Sequence, residues 1–244
     1  MNKILTFTLA GMAFFASCNN EEPGTRGNDT FSEQEKADYL NYIADIEERE
    51  GAPVYHLFNP APYPEDKVKD LLENSQPTEG FSTLSTSNGI KIGPYGGSGG
   101  AAFDEQLIVH VGEEWRKLAA VRIRCGKYID ALQFYWRDDK GNSYHSAQFG
   151  KDGGVECWVY LETDEHIRKI EMRHGKYVDG FTLYVRNATT GEDKIYTYGE
   201  RNYGRAATTT IEPSSCYQIH GFCGSAGTYI DRLGCYAYHE DLFR

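Results

Sequence analysis

Residues 124–136 read RCGKYIDALQFYW, residues 173–185 read RHGKYVDGFTLYV, and residues 224–238 read GSAGTYIDRLGCYAY. Each stretch holds one Gly-x-Tyr-x-Asp unit: Gly126, Lys127, Tyr128 and Asp130; Gly175, Lys176, Tyr177 and Asp179; Gly227, Thr228, Tyr229 and Asp231. The three glycines stand 49 and then 52 residues apart. A period near 50 residues marks a repeated structural unit. Beyond each aspartate the apolar pairs Leu132 and Phe134, Phe181 and Leu183, and Leu233 and Cys235 alternate, which sends them to one face of a strand.

The surroundings of the repeat are β-rich. From residue 91 onward, AAVRIRC, LQFYW, CWVYL, IRKIEM, FTLYV and KIYTY read as strands between Gly, Asp and Asn turns. Each repeat is expected to form one antiparallel sheet, with its Gly-x-Tyr-x-Asp loop at the same end as the others.

Within the loop the residue types divide the work. Glycine permits a turn that other residues resist, and successive amides can then converge as in an anion-binding nest. The aspartate is an acceptor-only carboxylate, and the tyrosine offers an apolar face. Donors, an ionised acceptor and a ring together suit a sugar, whose hydroxyls donate and accept while its C–H face packs on aromatics. Core geometry accounts for the glycine and the apolar positions, but not for an exposed aspartate in all three copies. A second glycine set runs in phase: Gly96, Gly97, Gly99 and Gly100; Gly153 and Gly154; Gly199 and Gly204. Glycine at such places lets another backbone or a ligand come close.

The ordered set "GPYGGSGGAAFDE", "GKYIDALQFYW", "GKYVDGFTLYV" and "GFCGSAGTYIDRLGCYAY" resembles the jacalin-related lectins over residues 91–240. That resemblance implies a mainly β fold, a β-prism of three four-stranded Greek-key sheets with pseudo-three-fold symmetry. It implies a monosaccharide held between each Gly-x-x-x-Asp loop and a glycine-rich loop. Gly100 would then join Thr228, Tyr229 and Asp231, the best of the sites. Gly153 and Gly154 would join Gly126–Asp130, and Gly204 would join Gly175–Asp179. The resemblance further implies a lectin of the mannose-binding type, because Gly100 lies in a continuous chain and offers only a peptide amide. The galactose-preferring branch uses a free α-amino group at that place.

Other readings are weaker. No Ser-His-Asp signature, HExxH or P-loop is present, and His56, His110, His145, His166, His174, His220 and His239 form no metal-ligand spacing. No catalytic residue, metal or cofactor is expected. The alternative function is a protein-interaction module on a prism that has lost sugar binding, with Tyr128, Tyr177 and Tyr229 as contact aromatics. The net charge of -11 disfavours nucleic-acid phosphates, which attract Lys/Arg-rich faces. The partners expected are mannose- or glucose-containing glycans, and a homo-oligomer is compatible with the sequence.

Upstream, residues 1–17 carry Lys3, an apolar run and "AS" before Cys18, a pattern that reads as a secretion signal. It resembles a bacterial lipobox, which implies lipid attachment at Cys18 and a place in the cell envelope, at the outer membrane or cell surface. Residues 18–31 read as a polar tether. Residues 32–90 read as a helical extension and linker, and 91–244 as the lectin domain. In the extension, Ser32 and Glu35 form a capping-box pattern, and Ala37, Leu40, Ile43, Ala44 and Ile46 a helical stripe closed by Gly51. A second helix from Pro64 is expected to carry Val68, Leu71 and Leu72 inward. Two short helices bury no core of their own, so both are expected to dock on the β domain. Five cysteines remain after Cys18, and Cys223 with Cys235 is one pairing open to them.

Overall fold

The computed structural model describes residues 31–78, 89–106, 116–199 and 207–243. Cys18, the signal, the tether and Gly204 lie outside these residues. The described chain opens with α1 (Glu33–Glu50). Ser32 Oγ accepts from the Glu35 N–H at 3.2 Å, and Glu35 accepts from the Ser32 N–H at 2.6 Å, a reciprocal capping box. Gly51, at φ 66°, ends the helix and donates its N–H to the Glu47 carbonyl. Next come β1 (Val54–His56), α2 (Glu65–Asn74) and β2 (Gln76–Pro77).

The β domain contains β3 (Ile90–Gly96), β4 (Ala101–Glu105), β5 (Arg116–Cys125), β6 (Ile129–Asp138), β7 (Ser143–His145), β8 (Phe149–Gly150) and β9 (Val155–Tyr160). It continues with β10 (Glu165–His174), β11 (Val178–Asn187), β12 (Asp193–Gly199), β13 (Ala207–Ile211), β14 (Tyr217–Ala226) and β15 (Ile230–His239). They group into three four-stranded units, the second and third joined by the single Ile167–Ile219 pair between β10 and β14. The first runs β9-β5-β6, with β7 and β8 sharing the place beside β6; the second runs β13-β10-β11-β12. In both, the fourth strand returns to lie beside the first, a Greek key. The third, β4-β14-β15-β3, has the same order but borrows its outer strands from the N-terminal side. Strands from both ends of the β domain thus share one sheet. The inward positions form one core, in which Phe134 of the first sheet stacks on Phe222 of the third at 4.3 Å. Leu132, Phe134, Phe181, Leu183, Leu233 and Cys235 all belong to it, as alternation required.

The extension covers two sheets from outside. Strand β1 pairs in parallel with β12, and β2 with β7, so each occupies an edge that would otherwise offer unpaired amides. Strand β2 falls at the start of residues 76–89, QPTEGFSTLSTSNG, which read as linker from the sequence. Helix α1 packs Tyr39, Ile43 and Ile46 on Tyr184 and Ile195 of the second sheet. Helix α2 packs Val68 and Leu71 on Ala120, Tyr135, Trp158 and Tyr160 of the first. The helical stripes need correction. Ala37, Leu40 and Ala44 face solvent, because Tyr39 takes the inward face and donates its hydroxyl to the Thr197 carbonyl at 2.9 Å. Leu72 is 50% exposed; successive residues on a helix point about 100° apart, so only Leu71 of that pair reaches the sheet.

The described cysteines are free thiols. Cys223 faces Gly234, and Cys235 faces Phe222. The two cysteines stand one residue out of register, so alternation directs their side chains to opposite faces of the hairpin.

Candidate sugar-binding loops

Each repeated loop joins the two central strands of its sheet: β5 to β6, β10 to β11, and β14 to β15. The same bond closes all three. The N–H of Gly126, Gly175 and Gly227 donates to the carbonyl of Tyr128, Tyr177 and Tyr229 at 3.1, 2.9 and 3.0 Å. The same register fault follows each turn. Cys125 faces Ile129 while Arg124 faces Ala131; His174 faces Val178 while Arg173 faces Gly180; Ala226 faces Ile230 while Ser225 faces Arg232. The residue passed over is Asp130, Asp179 or Asp231. Every loop aspartate is thus the extra residue of a β-bulge, a device that re-aims a side chain out of the ladder. The bulge also lets Ile129 with Leu132, Val178 with Phe181, and Ile230 with Leu233 enter the core three residues apart.

Two expectations about the loops are overturned. Gly126, Gly175 and Gly227 do not adopt positive φ, nor does any non-glycine residue described. Each loop is therefore built without a left-handed residue and is closed by the glycine-to-tyrosine bond. Nor are all the aspartates exposed: Asp130 and Asp231 are only 4% and 6% accessible. The glycine-rich segments close over them.

That closure is where glycine is required. Gly100 and Gly154 have φ of 72° and 54°, the left-handed region that side chains disfavour. A Cβ on Gly100 would stand 2.6 Å from Oδ2 of Asp231, and one on Gly154 would stand 2.8 Å from Oδ2 of Asp130. A Cβ on Gly153 would come as close, 2.5 Å from Oδ1 of Asp130, and one on Gly99 would likewise meet Asp231. Each glycine pair is held from behind by the residue two before the loop glycine. Arg124 Nε donates to the Gly153 carbonyl at 3.1 Å, and Ser225 Oγ donates to the Gly99 carbonyl at 2.6 Å. Arg232 Nε in turn donates to Ser225 Oγ at 3.1 Å. Sequence reasoning passed over Arg124 and Ser225; their shared offset from the loop glycine was the available signal.

The structure thus brings Gly153 and Gly154 to the Gly126–Asp130 loop, and Gly99 and Gly100 to the loop of Thr228, Tyr229 and Asp231. For the Gly175–Asp179 loop, Gly204 lies outside the described residues, and Gly199 packs against the Asp179 carbonyl. Burial raises the Asp179 carboxyl above the ordinary range, with Arg173 and His174 pulling it back.

The tyrosines meet. Ring centroids of Tyr128 and Tyr177 are 5.9 Å apart, those of Tyr128 and Tyr229 5.3 Å, and those of Tyr177 and Tyr229 5.0 Å. One aromatic triangle therefore gathers all three loops at one end of the prism. Its members spend part of their ring surface on each other, and Tyr128 stays 37% exposed.

A family model for the jacalin-like lectin domain matches residues 92–236. This chain belongs to the jacalin-like lectin family. Horcolin of barley, Hordeum vulgare, is 26% identical over 151 residues, spanning 62% of this lectin and 97% of horcolin. A mannose/glucose-specific lectin of Parkia pendula is 29% identical over 162 residues, spanning 60% of this lectin and 31% of that protein. A solved artocarpin–mannotriose complex shares the fold at a TM-score of 0.50 and 17% identity, spanning 62% of this lectin and 98% of artocarpin. Jacalin-related lectins are non-enzymatic carbohydrate-binding proteins, and this lectin is accordingly not an enzyme. Helices α1 and α2 precede the matched segment and are an addition to the lectin domain.

Proposed function

We propose that this lectin binds mannose- or glucose-type sugars through two or three of its Gly-x-Tyr-x-Asp loops. The observation that carries the reading is the bulged aspartate set under a pair of side-chain-free glycines, found at Asp130 and Asp231. In this reading Asp231 accepts from two sugar hydroxyls, and the amides of Thr228 and Tyr229 donate to them. Gly126, Lys127, Tyr128 and Asp130 with Gly153 and Gly154 make a second site. Gly175, Lys176, Tyr177 and Asp179 make a third, with Gly204. The mannose/glucose specificity in the name of the Parkia pendula relative supports the sugar class. Gly100 lies inside the continuous segment between β3 and β4, so it has no free amine with which to favour an axial hydroxyl.

A shallow monosaccharide site gives a Kd near about 1 mM, or roughly -4 kcal/mol. Several sites on one branched glycan raise avidity by about 10² to 10⁴. A glycan array of the parent and of the Asp130→Ala, Asp179→Ala, Asp231→Ala triple variant is the test. Binding that survives the triple substitution removes the loops as sites. Titration with methyl mannoside and methyl galactoside tests the preference, which a tighter galactoside would reverse.

The aromatic triangle favours a second reading, a protein-docking end, since tyrosine is enriched at interfaces. A parent silent on the array but retained by a protein partner would select it. For location, we propose an envelope lectin acylated at Cys18, checked by mass spectrometry of the mature N-terminus and its loss in Cys18→Ser.

A further inference from the structure

The added helix α1 reaches the Gly126–Asp130 loop. Lys127 Nζ lies 3.0 Å from Glu35 Oε1, with the two side chains 23% and 22% exposed. The other oxygen, Glu35 Oε2, accepts from the Ser32 N–H at 2.6 Å. One carboxylate thus closes the cap of α1 and grips the lysine of the Gly126–Asp130 loop. Helix α1 is itself fixed to the second sheet by Tyr39, Ile43 and Ile46, while the loop belongs to the first sheet. The corresponding positions differ. Lys176 is exposed and stands over the ring of Tyr177 in its own loop at 5.1 Å, and the third loop carries Thr228.

We propose that Glu35 is a positioning residue for the Gly126–Asp130 loop, making α1 a brace that sets this site apart from the other two. Asp130 follows Lys127 by three residues and must meet the Gly153–Gly154 backbone closely. A loop pinned at Lys127 loses freedom it would otherwise sample, so the carboxylate stays seated. A partly buried pair of this kind is screened by salt less than an exposed one. The affinity part of the proposal rests on the sugar-binding reading; the bracing part does not.

Glu35→Gln in the full chain separates the two jobs of the carboxylate. Glutamine at this helix position also completes a capping box, so the cap persists while Lys127 loses the Glu35 carboxylate. Amide hydrogen exchange at Gly126–Asp130 is expected to quicken about two- to fivefold, the effect of losing a pair of this strength. Exchange at Gly227–Asp231 is expected to stay as in the parent. The methyl mannoside Kd read by NMR at the first loop is expected to weaken by a similar factor, with the third loop unchanged. The difference is expected to shrink near about 1 M salt. Unchanged exchange at Gly126–Asp130 overturns the proposal. If α1 also loses protection, Lys127→Met, which leaves the cap untouched, decides by the same loop exchange. Faster exchange with no mannoside response in the parent would leave the brace standing and remove the sugar reading.

Discussion

Oδ2 of Asp231 occupies the space that a side chain on Gly100 would need, 2.6 Å from the Cβ such a residue would carry. The contact spans more than half of the β domain in sequence and joins the segment just before β4 to the bulge of β15. A left-handed φ of 72° adds a second reason for glycine. Gly100→Ala is therefore expected to cost about 1–3 kcal/mol of folding stability and to abolish binding at the third loop. Gly175→Ala is the control. Gly175 has no positive φ, and nothing lies within 4 Å of the position its Cβ would take. Its change in stability is expected to stay within about 0.5 kcal/mol. Urea denaturation of both variants checks the contrast, and equal losses would refute the closed-glycine account.

The aromatic triangle is expected to couple the loops energetically. A double-mutant cycle on Tyr177→Ala and Tyr229→Ala, whose rings are 5.0 Å apart, should give a coupling of about 0.5–1.5 kcal/mol. A coupling near zero would mean that the rings are neighbours without mutual stabilisation.

Docking of α1 rests on a small satellite core. Ile46 is fully buried between the helix and the outer face carrying Tyr184 and Ile195. Ile46→Ala is expected to cost about 2–5 kcal/mol by leaving a cavity, whereas Leu40→Ala, on the exposed side, is expected to change little. If thermal unfolding shifts equally for the two, the helix is not docked as described.

Acidification should destabilise the fold before most carboxylates titrate. Burial lowers His56 and His166 from 6.5 to about 4 and holds His220 well below its ordinary value. His220 Nδ1 accepts from the Leu118 N–H at 3.2 Å, a bond that a protonated ring could not make. The unfolded chain takes up protons below about 6.5 while the folded chain resists until about 4. Stability is thus complete above pH 6.5 and is lost through that window, at up to about 1.4 kcal/mol per pH unit for each histidine. Chemical denaturation at pH 7, 6 and 5 reads the slope; a flat profile would show that these rings do not enter the linkage.

Much of this was written locally. The threefold Gly-x-Tyr-x-Asp echo, the alternation that buries Leu132 with Phe134, the capping box at Ser32 and the stop at Gly51 depend on residues a few positions apart. Local rules of turn, period and cap suffice to read them. The three-residue apolar spacing from Ile129 to Leu132 also announced the bulge, although simple alternation passed over it.

What only the tertiary structure decided are relations between distant segments. That Gly154 and Gly100 have no room for a side chain follows from the closeness of Asp130 and Asp231, contacts that exist only once the sheets close. The face of α1 turned inward was decided by the Tyr184 surface beneath it, and Tyr39 displaced the expected stripe because its hydroxyl finds the Thr197 carbonyl. Glu35 meets Lys127 across 92 residues of sequence for the same reason. Periodicity tells a side chain which way to point along its own element; only packing tells it what it will meet there.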